Sequence, residues 1–92
     1  MNNKVDEIRY SKYARNYIKK LNPAQKEILK KSIHEHLEIL PADGDIKIMQ
    51  GFNDGRMRLR VGNIRVIFRY DEEGILIILN ILDIGPRGDI YK

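Results

Sequence analysis

Hydrophobic and polar residues alternate without a break along Arg56-Met-Arg-Leu-Arg-Val61, the most regular pattern in the chain. An alternation with a period of two residues is typical of a β-strand that buries one face. Gly62-Asn63 follows with the length and composition of a two-residue hairpin turn. The stretch from Ile64 to Tyr70 is the predicted return strand.

The predicted turn also sets the register of this hairpin. It pairs Val61 with Ile64, Arg60 with Arg65, Leu59 with Val66, Arg58 with Ile67, Met57 with Phe68 and Arg56 with Arg69. Because successive side chains point to opposite faces of a sheet, all five arginines lie on one face and the apolar residues on the other. The two strands agree without adjustment, which supports the register.

The first half of the chain carries helical periodicity instead. Ser11 is a plausible N-cap, and apolar residues recur at helical spacing from Tyr10 to Leu21. Asn22-Pro23 interrupts this pattern, and Pro23 suits the first turn of a second helix that runs to about Leu40. Two amphipathic helices with so short a connection predict an antiparallel helical hairpin.

Further strands complete the predicted sheet. The alternation from Lys4 to Arg9 predicts a short first strand, and Ile46 to Gln50 is another predicted strand. Asp71 to Gly74 is a predicted turn, and Ile75 to Asp83 is a mostly apolar last strand that we place centrally. The order β-α-α-β-β-β-β predicts one α+β domain over residues 1–92, with the helical hairpin packed on one face of a twisted antiparallel sheet.

Composition narrows the chemistry. With no cysteine there are no disulfides, thiolate metal sites or cysteine nucleophiles, and we expect a cytoplasmic protein. Met1 to Glu7 has no apolar run and the longest apolar run is far shorter than a membrane span, so we expect neither a signal peptide nor a membrane-spanning segment. His34 and His36 are two residues apart on the predicted helix and do not share a face, so we expect no metal and no other cofactor.

Positive charge is concentrated in the predicted hairpin. The formal net charge is +4, yet Arg56 to Tyr70 holds five arginines and no acid. Like charges opposite each other destabilise a sheet, whereas the planar arginine fork suits phosphate. We therefore predict a face that binds a polyanion. A solvated face, or neutralisation by Asp83 or Asp89, is the alternative.

The hairpin, together with the tail Asp83-Ile-Gly-Pro-Arg-Gly-Asp-Ile-Tyr91, resembles the RelE/ParE superfamily of type II toxin–antitoxin toxins. The order of elements is similar over nearly the whole chain, although the specific motifs lie in the C-terminal half. The resemblance implies a RelE-like fold similar to that of compact microbial RNases. It also implies a toxin that enters the ribosome, cuts mRNA there and inhibits translation, and that has a cognate antitoxin protein as partner.

The resemblance carries site residues over one at a time. Two basic positions on the third strand match Arg56 and Arg58, and an arginine early in the next strand matches Arg65. The arginine after the last strand matches Arg87, and the C-terminal tyrosine matches Tyr91. The best-known RelE proteins have lysines at the first two positions, and a longer arginine-to-tyrosine spacing in the tail.

Physical chemistry gives each residue a role in attack of an RNA 2′-OH on the adjacent phosphate. Arg65 and Arg87 would hold the phosphate, and Arg56 and Arg58 would stabilise the transition state or place the leaving oxygen. Tyr91 would orient or activate the 2′-OH, since a dense arginine cluster favours phenolate and lowers the pKa of the tyrosine, or it would stack on a base. Arg60 and Arg69 are predicted to bind the RNA backbone.

Two rival functions stay open at this point. A ParE-like toxin poisons DNA gyrase by protein contact, on the same fold but typically without this set of arginines and tyrosine. A non-catalytic RNA-binding or ribosome-binding module would use the arginines for affinity alone. For the antitoxin we expect an acidic segment that folds on binding and covers the arginine face or displaces the tail.

Overall fold

The computed structural model describes residues 3–86. Its helices and strands follow the predicted order. They are β1 (Glu7–Tyr10), α1 (Lys12–Lys19), α2 (Pro23–Ile33), a π-helical segment (His34–Glu38), β2 (Ile46–Ile48), β3 (Met57–Val61), β4 (Ile64–Glu73) and β5 (Leu76–Pro86).

All five strands form one sheet in the order β1-β5-β4-β3-β2. The last strand therefore lies inside the sheet, as the sequence predicts, and the α+β class is confirmed. One pair departs from the antiparallel expectation, because β1 runs parallel to β5. Backbone bonds fix that pair at both ends, from Asp6 N–H to Ile77 O at 2.8 Å and from Ser11 N–H to Ile81 O at 2.9 Å.

The β3–β4 hairpin has the predicted register. Val61 faces Ile64, Arg60 faces Arg65, Leu59 faces Val66, Arg58 faces Ile67 and Met57 faces Phe68. Arg56 lies just before β3, so the predicted sixth pair with Arg69 is not part of the ladder. Gly62 opens the turn with a φ of 58°, a conformation that costs glycine little.

Several predicted boundaries are wrong: β1 begins at Glu7 and not at Lys4, and β2 ends at Ile48 and not at Gln50. Strand β4 continues through the acids that the sequence places in a turn, because its ladder with β5 runs on to the pair Glu73–Leu76. Strand β5 extends three residues past its predicted end, to Pro86. Helix α2 ends at Ile33 and is followed directly by the π-helical segment. At the end of that segment, Ile39 N–H donates a hydrogen bond to His34 O at 3.2 Å.

Helix starts follow the predicted capping chemistry. The Ser11 hydroxyl accepts a hydrogen bond from Ala14 N–H at 3.0 Å and donates one to Leu82 O on β5 at 2.7 Å. Asn22 and Gln25 form a reciprocal capping box, and Pro23 occupies the first turn of α2. The Ser11 cap also links α1 directly to the sheet, through its bond to Leu82 O.

One face of the sheet and the helices share the core. Its fully buried members include Ala14, Leu29, Ile33, Leu37, Leu59, Val66, Phe68, Leu79 and Ile81. Because strand residues alternate, the arginines of β3 and β4 lie on the opposite face, away from the helices. Within residues 3–86, no helix combines the length and the hydropathy needed to cross a membrane.

Candidate nucleic-acid interface

The five hairpin arginines occupy the sheet face opposite the helices; we call this the arginine face (Arg56, Arg58, Arg60, Arg65 and Arg69). All five are at least partly buried. Ile67, the cross-strand partner of Arg58, lies on the same face and is only 2% exposed. Guanidinium groups held this close to a low-dielectric surface interact more strongly with an anion than groups in bulk water.

Asp54 binds one end of this face. Its Oδ2 atom accepts a hydrogen bond from Arg56 Nη2 at 2.7 Å and one from Arg69 Nη1 at 2.8 Å. Arg69 also donates to Asp71 Oδ2 at 3.2 Å. The hydrogen bonds from Arg56, and then that from Arg69, hold the pKa of Asp54 far below its ordinary value. Asp54 is therefore ionised at every physiological pH.

Asp45 neutralises a third arginine. Arg60 Nη1 lies 3.5 Å from Asp45 Oδ2, and Arg60 N–H donates to Asp45 O at 3.0 Å. The alternative of partial neutralisation by acids from elsewhere is therefore realised, because loop and strand-end carboxylates fold back over this face. Asp83, which the sequence offered as a neutralising acid, instead accepts from Ile84 N–H at 2.9 Å and forms no ion pair within residues 3–86. Asp89 lies outside the described residues.

Arg58, unlike these three, forms no ion pair within residues 3–86. Its Nε and Nη2 atoms are enclosed and have no hydrogen-bond partner among the described residues. The residue opposite it on β2 is Lys47, a second cation. Enclosed donors without a partner cost about 1–3 kcal/mol, and more when the group is charged. An anion that accepted these bonds would recover that cost, so Arg58 is a candidate phosphate contact.

Arg65 is the most buried charged residue of the face, with 6% of its surface exposed. Its cross-strand neighbours are Arg60 on β3 and Gly85 on β5. Since glycine has no side chain, the Arg65 side chain has room to lie over β5. A guanidinium buried this deeply has little conformational freedom, so its direction is set before any ligand arrives.

Two predicted site residues, Arg87 and Tyr91, lie outside the described residues. The structure brings together the other members of the predicted set. Strand β5 ends at Pro86, which pairs with Ile64 one residue from Arg65. The last described residue therefore lies at the same end of the sheet as the most buried arginine.

Three residues of this region were not predicted as part of the site: Lys47, Phe52 and Asp54. Phe52 lies under Arg56, whose guanidinium carbon is 4.2 Å from the ring centroid. The position of Asp54 two residues before Arg56 was a usable signal, since short loops often return a carboxylate to a neighbouring strand. Lys47 required the register between β2 and β3, which the sequence does not fix.

The histidines make separate local contacts. His34 Nδ1 lies 2.8 Å from Glu38 Oε1, and His36 Nδ1 lies 2.6 Å from Asp43 Oδ1. In the part of the chain that the structure describes, no group of three or more histidine or acidic residues is arranged to hold a metal ion. The chemistry of the described face is therefore that of guanidinium groups and carboxylates.

The sequence and the fold of this chain are similar to those of known proteins. Residues 8–91 match the family described as "ParE toxin of type II toxin-antitoxin system, parDE". A chain in the crystal structure of the archaeal RelE–RelB complex from Pyrococcus horikoshii OT3 has a similar fold, with a TM-score of 0.62 and 24% sequence identity. That similarity covers 89% of this chain and 94% of the archaeal one. No curated protein matches the sequence.

Proposed function

The chain belongs to the ParE toxin family, within the RelE/ParE superfamily of type II toxin–antitoxin systems, and we propose that this toxin is a ribosome-dependent mRNA endonuclease. The observation that carries the proposal is Arg58, whose enclosed donors have no partner within residues 3–86. A sheet that keeps such a cation beside Lys47 gains stability when a phosphate binds there.

The reaction proposed is an internal transfer of the phosphate. The 2′ oxygen forms a bond to phosphorus while the bond from phosphorus to the 5′ oxygen breaks, leaving a 2′,3′-cyclic phosphate and a 5′-hydroxyl. The proton leaves the 2′-OH and a proton reaches the departing 5′ oxygen. Negative charge grows on the phosphate oxygens in between, and arginines fixed in advance stabilise that charge.

Roles follow from how each arginine is held. Arg58 and Arg65 would contact the scissile phosphate and stabilise its growing charge. Arg56 and Arg69 share Asp54, so they would act chiefly by shaping the face, with Arg69 and Arg60 contacting the RNA backbone. Arg87 would join the phosphate site and Tyr91 would orient or activate the 2′-OH, as the resemblance implies.

Induced expression in a bacterial host tests the proposal, with primer extension on several translated mRNAs. The informative variants are Arg58→Ala, Arg65→Ala and the pair Arg87→Ala with Tyr91→Phe. Arg15→Ala is the matched control, because Arg15 is exposed on α1 on the other side of the sheet. New cuts within translated codons that persist in the control and vanish in the variants are expected.

Inhibition of DNA gyrase is the second candidate, and one observation favours it: the matching family is described by the ParE toxin. Neutralisation of three arginines by Asp45, Asp54 and Asp71 is also compatible with a protein partner. Growth arrest without mRNA cuts, accompanied by gyrase-dependent DNA breaks, would establish this candidate. RNA binding without cuts or breaks would identify a non-catalytic module.

We propose a cognate antitoxin as the second partner, as in the archaeal complex of RelE with RelB. Its contact would be an acidic segment that covers the arginine face and supplies carboxylates to Arg58. Hydrogen exchange of the complex tests this, with slower exchange expected along β3. Protection confined to α1 and α2 would contradict the charge-masking contact.

A further inference from the structure

A cavity opens beside Arg58 at the edge of the arginine face. It lies between the end of β2 and the loop that leads to β3, and its volume is about 280 Å³. Its lining residues are Lys47, Ile48, Met49, Gln50, Phe52 and Arg58. This volume is near the lower end of the range for small-ligand sites, ~300 Å³.

The cationic side of the cavity is built from two neighbouring strands. Lys47 and Arg58 are directly opposite each other, a like-charge pair that weakens a sheet unless an anion lies between the charges. Neither residue has an ion-pair partner within residues 3–86, and two guanidinium nitrogens of Arg58 are enclosed without an acceptor. These observations indicate a site for one phosphate group.

The other side of the cavity is apolar and aromatic. Phe52 is 41% exposed and Ile48 is 75% exposed, so both offer uncovered carbon surface. The Arg56 guanidinium lies against the Phe52 ring, and Asp54 holds that guanidinium in place through three hydrogen bonds to the Arg56 side chain. The ring is therefore fixed in orientation by a chain of contacts that continues to Arg69.

A fixed aromatic ring next to a phosphate site is the combination by which proteins hold single-stranded nucleic acid. We propose that this cavity binds one nucleotide of single-stranded RNA, with its base stacked on Phe52 and its phosphate on Arg58 and Lys47. Gln50, at the exposed rim, carries both a donor and an acceptor for the base edge. The cavity would thereby give the toxin a base preference. This inference rests on the proposed RNA-directed function and adds a nucleotide subsite to it.

Fluorescence titration of the purified chain with short single-stranded RNAs tests the subsite. Phe52→Leu keeps an apolar side chain and removes the ring, so affinity should fall about 5- to 150-fold, the equivalent of about 1–3 kcal/mol. Phe52→Tyr keeps the ring and should bind as the unmodified chain does. Gln50→Ala should lower affinity most for the preferred base and so reduce the difference between RNAs of different base.

An abasic nucleotide separates stacking from indirect effects through Arg56. When the stacked base is missing, the unmodified chain and Phe52→Leu should bind equally. Equal binding of intact RNA by these two proteins would overturn the subsite, as would a Phe52 effect that persists with abasic RNA. If Phe52→Leu weakens binding to acidic peptides and not to RNA, the cavity binds a protein partner. That result would also overturn the subsite.

Cleavage in cells separates this inference from the proposed function. If Phe52→Leu binds RNA as tightly as the unmodified chain does and mRNA is still cut, the subsite alone is overturned. A Phe52-dependent affinity for RNA without any mRNA cuts supports the subsite and overturns the nuclease. Absence of both RNA binding and cuts overturns the two together.

Discussion

Arg56 and Arg69 donate to the same carboxylate oxygen, Oδ2 of Asp54, at 2.7 and 2.8 Å. One residue precedes β3 and the other lies on β4, so Asp54 links the hairpin at the end opposite its turn. Two cations that would repel each other across the strands are thereby held in one orientation. The arginine face is in consequence partly neutral at this end, while Arg58 on β3 has no ion-pair partner within residues 3–86.

The link by Asp54 gives the first prediction, which concerns acid stability. The pKa of Asp54 is lower in the folded chain than its ordinary value of 3.8, so its contribution to stability is fully present above about pH 4–5. That contribution is lost as the pH falls toward the lowered pKa. Asp54→Asn should be less stable than the unmodified chain at pH 7, and the gap should narrow below pH ~4.

Urea unfolding at several pH values measures this gap. Glu7, whose pKa is also lowered by Arg9, titrates in both proteins and cancels in the comparison. A gap that stays constant down to pH ~2 would show that the ionisation of Asp54 does not stabilise the hairpin.

The hairpin also shows what the sequence could predict. Its register follows from alternation and a two-residue turn, both of which are local features. The carboxylates of Asp45 and Asp54 belong to loops whose paths depend on tertiary contacts, so their return to the arginines was not predictable. The same holds for the parallel partner of β1, since it is more than 60 residues away in sequence and no local pattern selects it.

The second prediction concerns Arg58, whose replacement should stabilise the fold and weaken RNA binding. Replacement by methionine keeps an unbranched apolar side chain and removes the enclosed, unpartnered donors. Arg58→Met should therefore raise the free energy of unfolding by about 1–3 kcal/mol while RNA binding and cleavage fall. Thermal unfolding and RNA titration measure the two effects separately.

Arg60→Met provides the comparison, because the Arg60 guanidinium has Asp45 as an ion-pair partner and only its Nε is enclosed without a partner among the described residues. It should not stabilise the fold to the same extent. If Arg58→Met destabilises the chain, the enclosed guanidinium is satisfied in the native state and is not poised for an anion.

Tyr70 carries the third prediction. Its hydroxyl donates to Leu37 O at 2.5 Å, which ties β4 to the π-helical segment. Tyr70→Phe should reduce stability by about 1–3 kcal/mol, since a part-buried carbonyl loses its donor. Tyr13→Phe, at a position 66% exposed, should have little effect on the denaturation midpoint.

The same residue predicts the alkaline behaviour. Burial raises the pKa of Tyr70 to about 12, so the folded chain keeps this proton longer than the unfolded chain does. The stability that Tyr70 contributes is complete below pH ~10 and is lost as the pH rises toward 12. Tyr70→Phe should lack this part of the alkaline decline, and an identical decline in both proteins would contradict the assignment.

The central claim is that a phosphate bound at Arg58 is the one that is cleaved. Purified toxin added to ribosomes that carry a defined mRNA tests it most directly, with the chemical ends of the products mapped. The account predicts a 2′,3′-cyclic phosphate upstream and a 5′-hydroxyl downstream of the cut, formed by the Arg15→Ala chain and not by Arg58→Ala. Intact mRNA with the unmodified toxin, or equal cutting by Arg58→Ala, would contradict it.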